Sequence, residues 1–199
     1  MPLNIKSKEK YYKITPFKII PSKLKQIFET GCYIYTPKFV FTENDHDNIV
    51  EHVRKWLQEK GFQCQKEVPI EVLIPVDNKM VSISGRIDIV CEKDESIHVF
   101  EVKSYSNVTK ADLVQLALYA YGVNMKKEKS TVKAFIVYPK INHSNDFIVM
   151  PILQDTIASL YFEAMEVLKH LVNQNYILRP GPYCKKCKHY NRCPLISRS

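Results

Sequence analysis

The sequence predicts an α/β fold, and three observations support that prediction. Residues 85–119 have the pattern of a strand, a short polar hairpin loop, a second strand and a helix. Two other segments, 43–60 and 152–175, carry apolar side chains at helical spacing. Apolar runs typical of strands occupy residues 62–75, 132–138 and 146–150. A chain of 199 residues can bury one substantial core, so we expect one main α/β domain.

The charge balance favours a polyanionic partner. The chain has 29 lysines and arginines against 21 acidic residues, which gives a net charge of +8. Such an excess suits nucleic acid or a membrane surface. No apolar run is long enough for a membrane-spanning helix, and the first residues lack the apolar core of a signal peptide. We therefore expect a cytoplasmic protein without a membrane partner, in which cysteines are more often metal ligands than disulfides.

The hairpin predicts a cluster of charged side chains. Glu101 and Lys103 lie two residues apart on the second strand, so their side chains share a face. Pairing of the two strands would bring Asp88 beside Glu101. Two close carboxylates repel each other, and a hard divalent cation such as Mg²⁺ or Mn²⁺ relieves that repulsion. The alternative is a half-exposed hairpin whose charges face solvent, but the apolar runs around these residues favour burial.

The helix that follows the hairpin adds two candidate residues. Thr109 and Asp112 have the spacing of a capping box at its start. Gln115 and Tyr119 are four residues apart, so they lie on one side of the helix and can lean over the pocket together. The alternative is an ordinary polar flank with a partly buried tyrosine.

The C-terminus predicts a metal site of a different kind. Cys184, Cys187 and Cys193 form a C-x2-C-x5-C pattern, and three thiolates this close favour a metal. A four-thiolate site needs one more ligand. Cys32 is the first candidate and Cys64 the second, whereas His189 could complete a zinc site instead. Cys64 and Cys91 are otherwise expected to pack in the core.

These motifs resemble the RecB-type nucleases of the PD-(D/E)XK superfamily. The segments GRID, EVK and QLALY correspond to the motifs of that family. The resemblance implies that Asp88 and Glu101 bind the metal with the carbonyl of Val102, that Lys103 is catalytic, and that Gln115 and Tyr119 hold DNA. It also implies a metal-ligating histidine on the preceding helix, for which His52 fits better than His46. Ile87 departs from the family pattern, because no proline precedes the aspartate.

Together with the cysteines, the core is similar to the CRISPR-associated "type four" RecB-like exonucleases. That resemblance implies a restriction-endonuclease-like core with a mixed central sheet flanked by helices. It also implies a [4Fe-4S] cluster held by Cys32, Cys184, Cys187 and Cys193. The segment after Cys32 lacks the basic residues usual in the family. We expect a basic segment at 1–31, a nuclease core at 32–178 and a cysteine module at 179–199.

The implied activity is 5′-to-3′ degradation of single-stranded DNA, with endonuclease activity, in CRISPR spacer acquisition. The partners implied are single-stranded DNA, CRISPR adaptation proteins and a second copy of the chain. A viral or mobile-element recombination nuclease fits the same residues. Two rivals from other classes are a DNA-binding module with a structural metal and a redox sensor that uses the cluster. The intact set of Asp88, Glu101 and Lys103 favours the enzyme over the binding module.

Overall fold

The structure is a computed structural model that describes residues 17–33, 44–127, 131–140 and 147–195. Its helices are α1 (Pro21–Thr30), α2 (Asn44–Glu59), α3 (Lys110–Lys126) and α4 (Gln154–Val172). Its strands are β1 (Phe17–Ile19), β2 (Gln63–Val76), β3 (Lys79–Lys93), β4 (Ser96–Val102), β5 (Thr131–Pro139) and β6 (Phe147–Ile152). Two short 3₁₀ turns follow, Pro182–Lys186 and Tyr190–Arg192.

The six strands form one mixed sheet. Strand β2 pairs antiparallel with β3 along almost its whole length. Strands β1 and β4 therefore share the opposite edge of β3, with β1 parallel to its first part and β4 antiparallel to its last part. Strands β5 and β6 extend the sheet beyond β4. As a result, the carboxyl ends of β1 and β4 point towards each other along this edge of β3. Residues 84–88 of β3 lie between them.

Helices cover both faces of the sheet. Helices α1, α3 and α4 pack on one face and contribute to the larger apolar core, which includes Leu24, Leu116 and Leu168. Helix α2 packs on the other face through Val50, Val53 and Leu57. The predicted α/β architecture, a mixed central sheet flanked by helices, is therefore confirmed.

The side-chain alternation of β3 breaks at Asp88. Ile87 belongs to the larger core, whereas Ile89, two residues further on, belongs to the smaller core on the opposite face. Regular alternation would place both on one face. The pairing of Lys66 with Ile89 and of Val68 with Ile87 leaves Glu67 opposite Asp88. Glu67 has a φ of 53°, so the break coincides with a left-handed residue in β2.

Several local predictions hold and others need correction. The capping box of Thr109 and Asp112 is confirmed, and Gly31 ends α1 in the left-handed conformation with a φ of 64°. Strand β1 is not predicted from the sequence, because its residues lie in the basic segment at 1–31. Residues 1–16 of that segment lie outside the described part of the chain. In the described residues no helix is long and apolar enough to cross a membrane.

Cys91 lies in the smaller core and Cys64 packs against it, as expected, but the sequence does not predict that the two are bonded. They are directly opposite each other in β2 and β3 and form a disulfide. The other four cysteines, Cys32, Cys184, Cys187 and Cys193, form no disulfide within the described part of the chain. Because a disulfide sulfur has no thiolate to offer, Cys64 cannot serve as a metal ligand in this state.

Candidate active site

A cleft of about 550 Å³ opens over β3 next to the end of β1, between the starts of α1 and α2. Its walls are the start of α1 at Pro21 and Ser22, the start of α2 at His46, and Tyr119 of α3. Its floor includes Asp88 and Gly85 of β3. The topology explains this position, because the two strands that share one edge of β3 leave a gap between them.

Asp88 is held in the cleft by backbone and side-chain contacts. Its Oδ2 accepts a hydrogen bond of 2.7 Å from the backbone N–H of Val102. Its Oδ1 lies 3.4 Å from Nε2 of His46. The contact with Asp88 is the main cause that raises the pKa of His46 above its ordinary value. The side chain of Asp88 is thus tied to the end of β4 and to the start of α2.

Glu101 and Lys103 form a buried pair beside Asp88. Their residues are 2% and 6% exposed, and the Lys103 ammonium lies 2.5 Å from Glu101 Oε1. Burial, followed by repulsion from Asp88, raises the pKa of Glu101 to about 7, although Lys103 opposes that shift. Glu101 Oε2 is buried and has no hydrogen-bond partner among the described residues. The structure therefore brings together the three residues that the sequence pattern singled out.

Lys103 has further acceptors on α3. Its Nζ lies 3.3 Å from Oε1 of Gln115 and 3.5 Å from Oδ1 of Asp112. Gln115 was predicted at this site, whereas Asp112 was predicted only as a helix cap. The capping spacing placed Asp112 at the start of α3 but gave no sign that its second oxygen faces Lys103.

Tyr119 lies against the floor of the cleft. The residue is buried, and its pKa is raised first by that burial and then by the nearby Glu101 carboxylate. A Cβ added to Gly85 would lie 2.8 Å from the Tyr119 hydroxyl. The glycine of the GRID segment is therefore explained by the close approach of this ring to β3.

The structure favours His46 over His52 as the histidine of the site. His46 contacts Asp88, whereas the exposed His52 packs its ring against the edge of Phe147 with centroids 5.7 Å apart. The two residues are six positions apart on α2, so they face different directions. The preference for His52 from the sequence is thus reversed by the way α2 docks on the sheet.

Val102 supports the predicted ligand set through its backbone. Its N–H reaches Asp88, and the N–H and carbonyl of one strand residue point to the same edge. The carbonyl of Val102 is therefore directed towards the same gap as Asp88. Among the described residues, no three histidine, cysteine or acidic side chains are spaced to hold a metal ion as they stand. Lys103, His46 and the Val102 N–H occupy carboxylate oxygens that a cation would take.

The four cysteines outside the disulfide line one small cavity at the other end of α1. The cavity is shared by Cys32, Cys184, Cys187, Cys193 and His189. Two contacts join the segment of Cys32 to the C-terminal module: the Tyr183 hydroxyl donates to the Thr30 carbonyl, and the Tyr33 N–H donates to the Ile177 carbonyl at 3.0 Å. Cys32 therefore lines the same cavity as the three C-terminal cysteines, although their side chains are not spaced to hold a metal ion as they stand in the described structure.

The fold and the site define a class, that of metal-dependent nucleases. A mixed sheet flanked by helices presents two buried carboxylates and a lysine, with Asp88 inside β3 and Glu101 and Lys103 at the end of the adjoining β4. The family model of the PD-(D/E)XK nuclease superfamily matches residues 35–194. The chain therefore belongs to the PD-(D/E)XK nuclease superfamily, whose members use divalent metals such as Mg²⁺ or Mn²⁺.

Solved structures with a similar fold were also found. The protein SSO0001 is 20% identical, with 89% of this chain and 86% of that chain covered and a TM-score of 0.46. A protein provisionally named as an exonuclease from Eubacterium rectale is 13% identical, with 88% and 66% covered and a TM-score of 0.46. The protein of unknown function AF1548 is 18% identical, with 49% and 50% covered and a TM-score of 0.29. A comparison with curated protein sequences finds no match.

Proposed function

We propose that the chain is a deoxyribonuclease that degrades single-stranded DNA from 5′ to 3′ and also cuts it internally, with Mg²⁺ or Mn²⁺ as its cofactor. The observation that carries the proposal is the gathering of Asp88, Glu101 and Lys103 beside one open cleft. Buried charges of this kind are costly unless they are paired or bind a metal. The net charge of +8 favours a nucleic-acid substrate.

The residues of the cleft fit a hard divalent cation. Asp88, Glu101, the carbonyl of Val102 and His46 would hold it, and oxygen-rich ligand sets of this kind suit Mg²⁺ and Mn²⁺. The unpartnered Oε2 of Glu101 is a buried acceptor that lacks a donor, as expected of a ligand atom. When bound, such a cation polarises a phosphate oxygen and lowers the pKa of a water molecule.

The other residues have roles that follow from their positions. Lys103 keeps a positive charge beside Glu101, where it can stabilise negative charge that develops on a phosphate group. Gln115 orients Lys103 through its side-chain carbonyl. Tyr119 presents its hydroxyl to the cleft wall next to Gly85, in a position suited to contact a DNA strand.

We also propose a [4Fe-4S] cluster held by Cys32, Cys184, Cys187 and Cys193. The four thiols share one cavity, and thiolates are the ligands of such clusters. The cluster would tie the end of α1 to the C-terminal module, which lowers the chain entropy of the unfolded state. His189 lines the same cavity, so a zinc site with this histidine as one ligand is the alternative.

The resemblance to the CRISPR-associated exonucleases supports a role in spacer acquisition, with adaptation proteins as partners. A recombination nuclease of a virus or mobile element is the alternative. Inspection of the neighbouring genes separates these roles, because adaptation genes or phage genes would lie beside this one.

The nuclease proposal is tested with end-labelled single-stranded DNA and Mn²⁺. We expect the wild type to release mononucleotides or short products from the 5′ end, and Asp88→Ala to abolish cleavage. Asp155→Ala, an exposed aspartate at the start of α4, is the matched control and should retain activity. A wild type that binds DNA without cutting it would make the chain a DNA-binding module instead.

The cluster is tested by purification without oxygen. We expect iron and acid-labile sulfide in equal amounts, and their loss in Cys32→Ser but not in Cys64→Ser. Zinc without sulfide would support the alternative site. Nuclease activity that changes when the cluster is oxidised would favour the redox-sensor reading.

A further inference from the structure

Asp112 makes more contacts than a helix cap needs. It lies in the first turn of α3 and is fully buried. Its Oδ2 accepts the backbone N–H of Thr109 at 2.9 Å and the Thr109 hydroxyl at 2.8 Å. These bonds complete the cap of α3. The cap therefore uses one carboxylate oxygen and leaves the other free for another purpose.

Two ammonium groups and a phenol converge on the other oxygen. Asp112 Oδ1 lies 2.7 Å from Nζ of Lys25 and accepts the Tyr105 hydroxyl at 2.5 Å. Lys25 Nζ also donates to the Tyr105 oxygen at 2.8 Å. The third contact of Oδ1 is Nζ of Lys103 at 3.5 Å. Helix α1 and the segment after β4 thus supply two groups that fix this oxygen in place.

Three side-chain oxygens of the described residues lie around the Lys103 ammonium. It donates hydrogen bonds to Glu101 Oε1 and Gln115 Oε1, and it forms an ion pair with Asp112 Oδ1 at 3.5 Å. A cation held by Glu101 Oε2 would draw negative charge from that carboxylate and weaken the contact between Oε1 and Lys103. Asp112 and Gln115 are the other two groups that hold the ammonium, and of these only Asp112 carries a charge.

We propose that Asp112 is a positioning residue for the catalytic Lys103, and that Lys25 and Tyr105 act by holding Asp112. The proposal rests on the nuclease function proposed above. A long lysine side chain has many rotamers, so a second fixed anion besides Glu101 would keep the ammonium at the reacting phosphate. Displacement of a reacting group by about 1 Å can cost about a hundredfold in rate.

Different side chains make the positioning contacts and the capping contacts of Asp112, so separate substitutions can test the two. Tyr105→Phe removes a donor to Oδ1 and leaves the Thr109 cap intact. Lys25→Met removes the second cation from the same oxygen, and Lys25→Arg restores a cation. Thr109→Ala is the matched control, because it removes the two cap bonds of the Thr109 hydroxyl, one to Oδ2 and one from the Asp112 N–H, and leaves the contacts of Oδ1. Asp112→Asn tests the carboxylate itself.

The experiment measures kcat and KM on a single-stranded oligonucleotide at saturating Mn²⁺, together with thermal unfolding of each variant. We expect Tyr105→Phe and Lys25→Met to lower kcat about tenfold, and Asp112→Asn about a hundredfold, with KM within about threefold. Lys25→Arg should recover most of the lost kcat. Thr109→Ala should lower the unfolding temperature and keep kcat within about twofold of the wild type.

Two results would overturn the positioning role. One is a kcat for folded Tyr105→Phe and Lys25→Met that stays within about twofold of the wild type. The other is a loss of kcat in Thr109→Ala as large as in these two variants, because the contacts would then matter through the stability of α3. If the wild type does not cleave DNA, the nuclease proposal itself is wrong. Wild-type cleavage is therefore measured before any variant is compared.

Discussion

Glu67 and Asp88 face each other across β2 and β3 at the position where the side-chain alternation of β3 breaks. Glu67 has a φ of 53°, which costs an L-residue about 1–2 kcal/mol. Breaks of this kind re-aim a side chain relative to the regular strand and are common beside active sites. Here the re-aimed side chain is Asp88, which lines the cleft and reaches the end of β4.

Replacement of Glu67 by glycine should therefore stabilise the fold. Glycine adopts a positive φ without the steric cost, although it adds conformational freedom to the unfolded chain. The ion pair of Glu67 with Arg86, 2.8 Å long, is largely exposed and adds little. We expect Glu67→Gly to raise the free energy of unfolding by about 0.5–1 kcal/mol, measured by urea titration. Glu67→Gln, which keeps the Cβ, should not; equal stability of the two variants would contradict the strain.

The two candidate histidines can be separated by their metal dependence. His46 contacts Asp88, whereas His52 contacts Phe147. We expect His46→Ala to raise the Mn²⁺ concentration needed for half-maximal cleavage about tenfold or more. His52→Ala is the matched control on the same helix and should change it by less than about twofold. The reverse order of effects would restore His52 as the ligand.

Gly85→Ala should damage the wall of the cleft. The added methyl group would lie 2.8 Å from the Tyr119 hydroxyl and 3.3 Å from Pro21 Cδ, so a buried ring or the start of α1 must move. We expect a loss of about 1–3 kcal/mol of stability by urea titration, with lower cleavage of single-stranded DNA. Tyr119→Phe removes the nearest clashing atom. The loss of stability in the Gly85→Ala, Tyr119→Phe double variant should therefore be smaller than the sum of the losses in the two single variants. If the losses simply add, the clash is excluded.

The sequence predicts the central cluster because short-range rules determine it. Alternation along β4 puts Glu101 and Lys103 on one face, and a hairpin brings β3 beside them. The apolar runs around these residues also show which strands are buried, so the α/β class and most element positions follow. Strand β1 is the exception, since its three residues pair in parallel with a distant segment and carry no pattern of their own.

Long-range packing determines what the sequence does not reveal. Lys25 reaches Asp112 only because α1 docks against α3, and its sequence surroundings resemble a solvated basic segment. The choice between His46 and His52 depends on which turn of α2 faces the cleft. Glu67 is not a glycine, so nothing in the sequence marks its left-handed backbone. The pairing of Cys64 with Cys91 depends on the register of β2 against β3.

Glu101 should make the stability of the metal-free protein depend on pH. Burial and the Asp88 carboxylate raise its pKa from 4.5 to about 7, so between these values the folded state binds more protons than the unfolded state. The free energy of unfolding should then fall as the pH rises through that window. The raised pKa of His46 also makes stability fall as the pH rises. The contribution of Glu101 is therefore the difference in pH dependence between the wild type and Glu101→Gln.

The measurement is urea denaturation in the presence of a chelator at several pH values between 4.5 and 7. Glu101→Gln cannot ionise at this position, so its stability should decline less with pH than that of the wild type. Mn²⁺ should flatten the wild-type profile, because a bound cation favours the ionised carboxylate. Parallel profiles for the two proteins without metal would mean that Glu101 is already ionised across the window, and that Lys103 outweighs both its burial and the repulsion from Asp88.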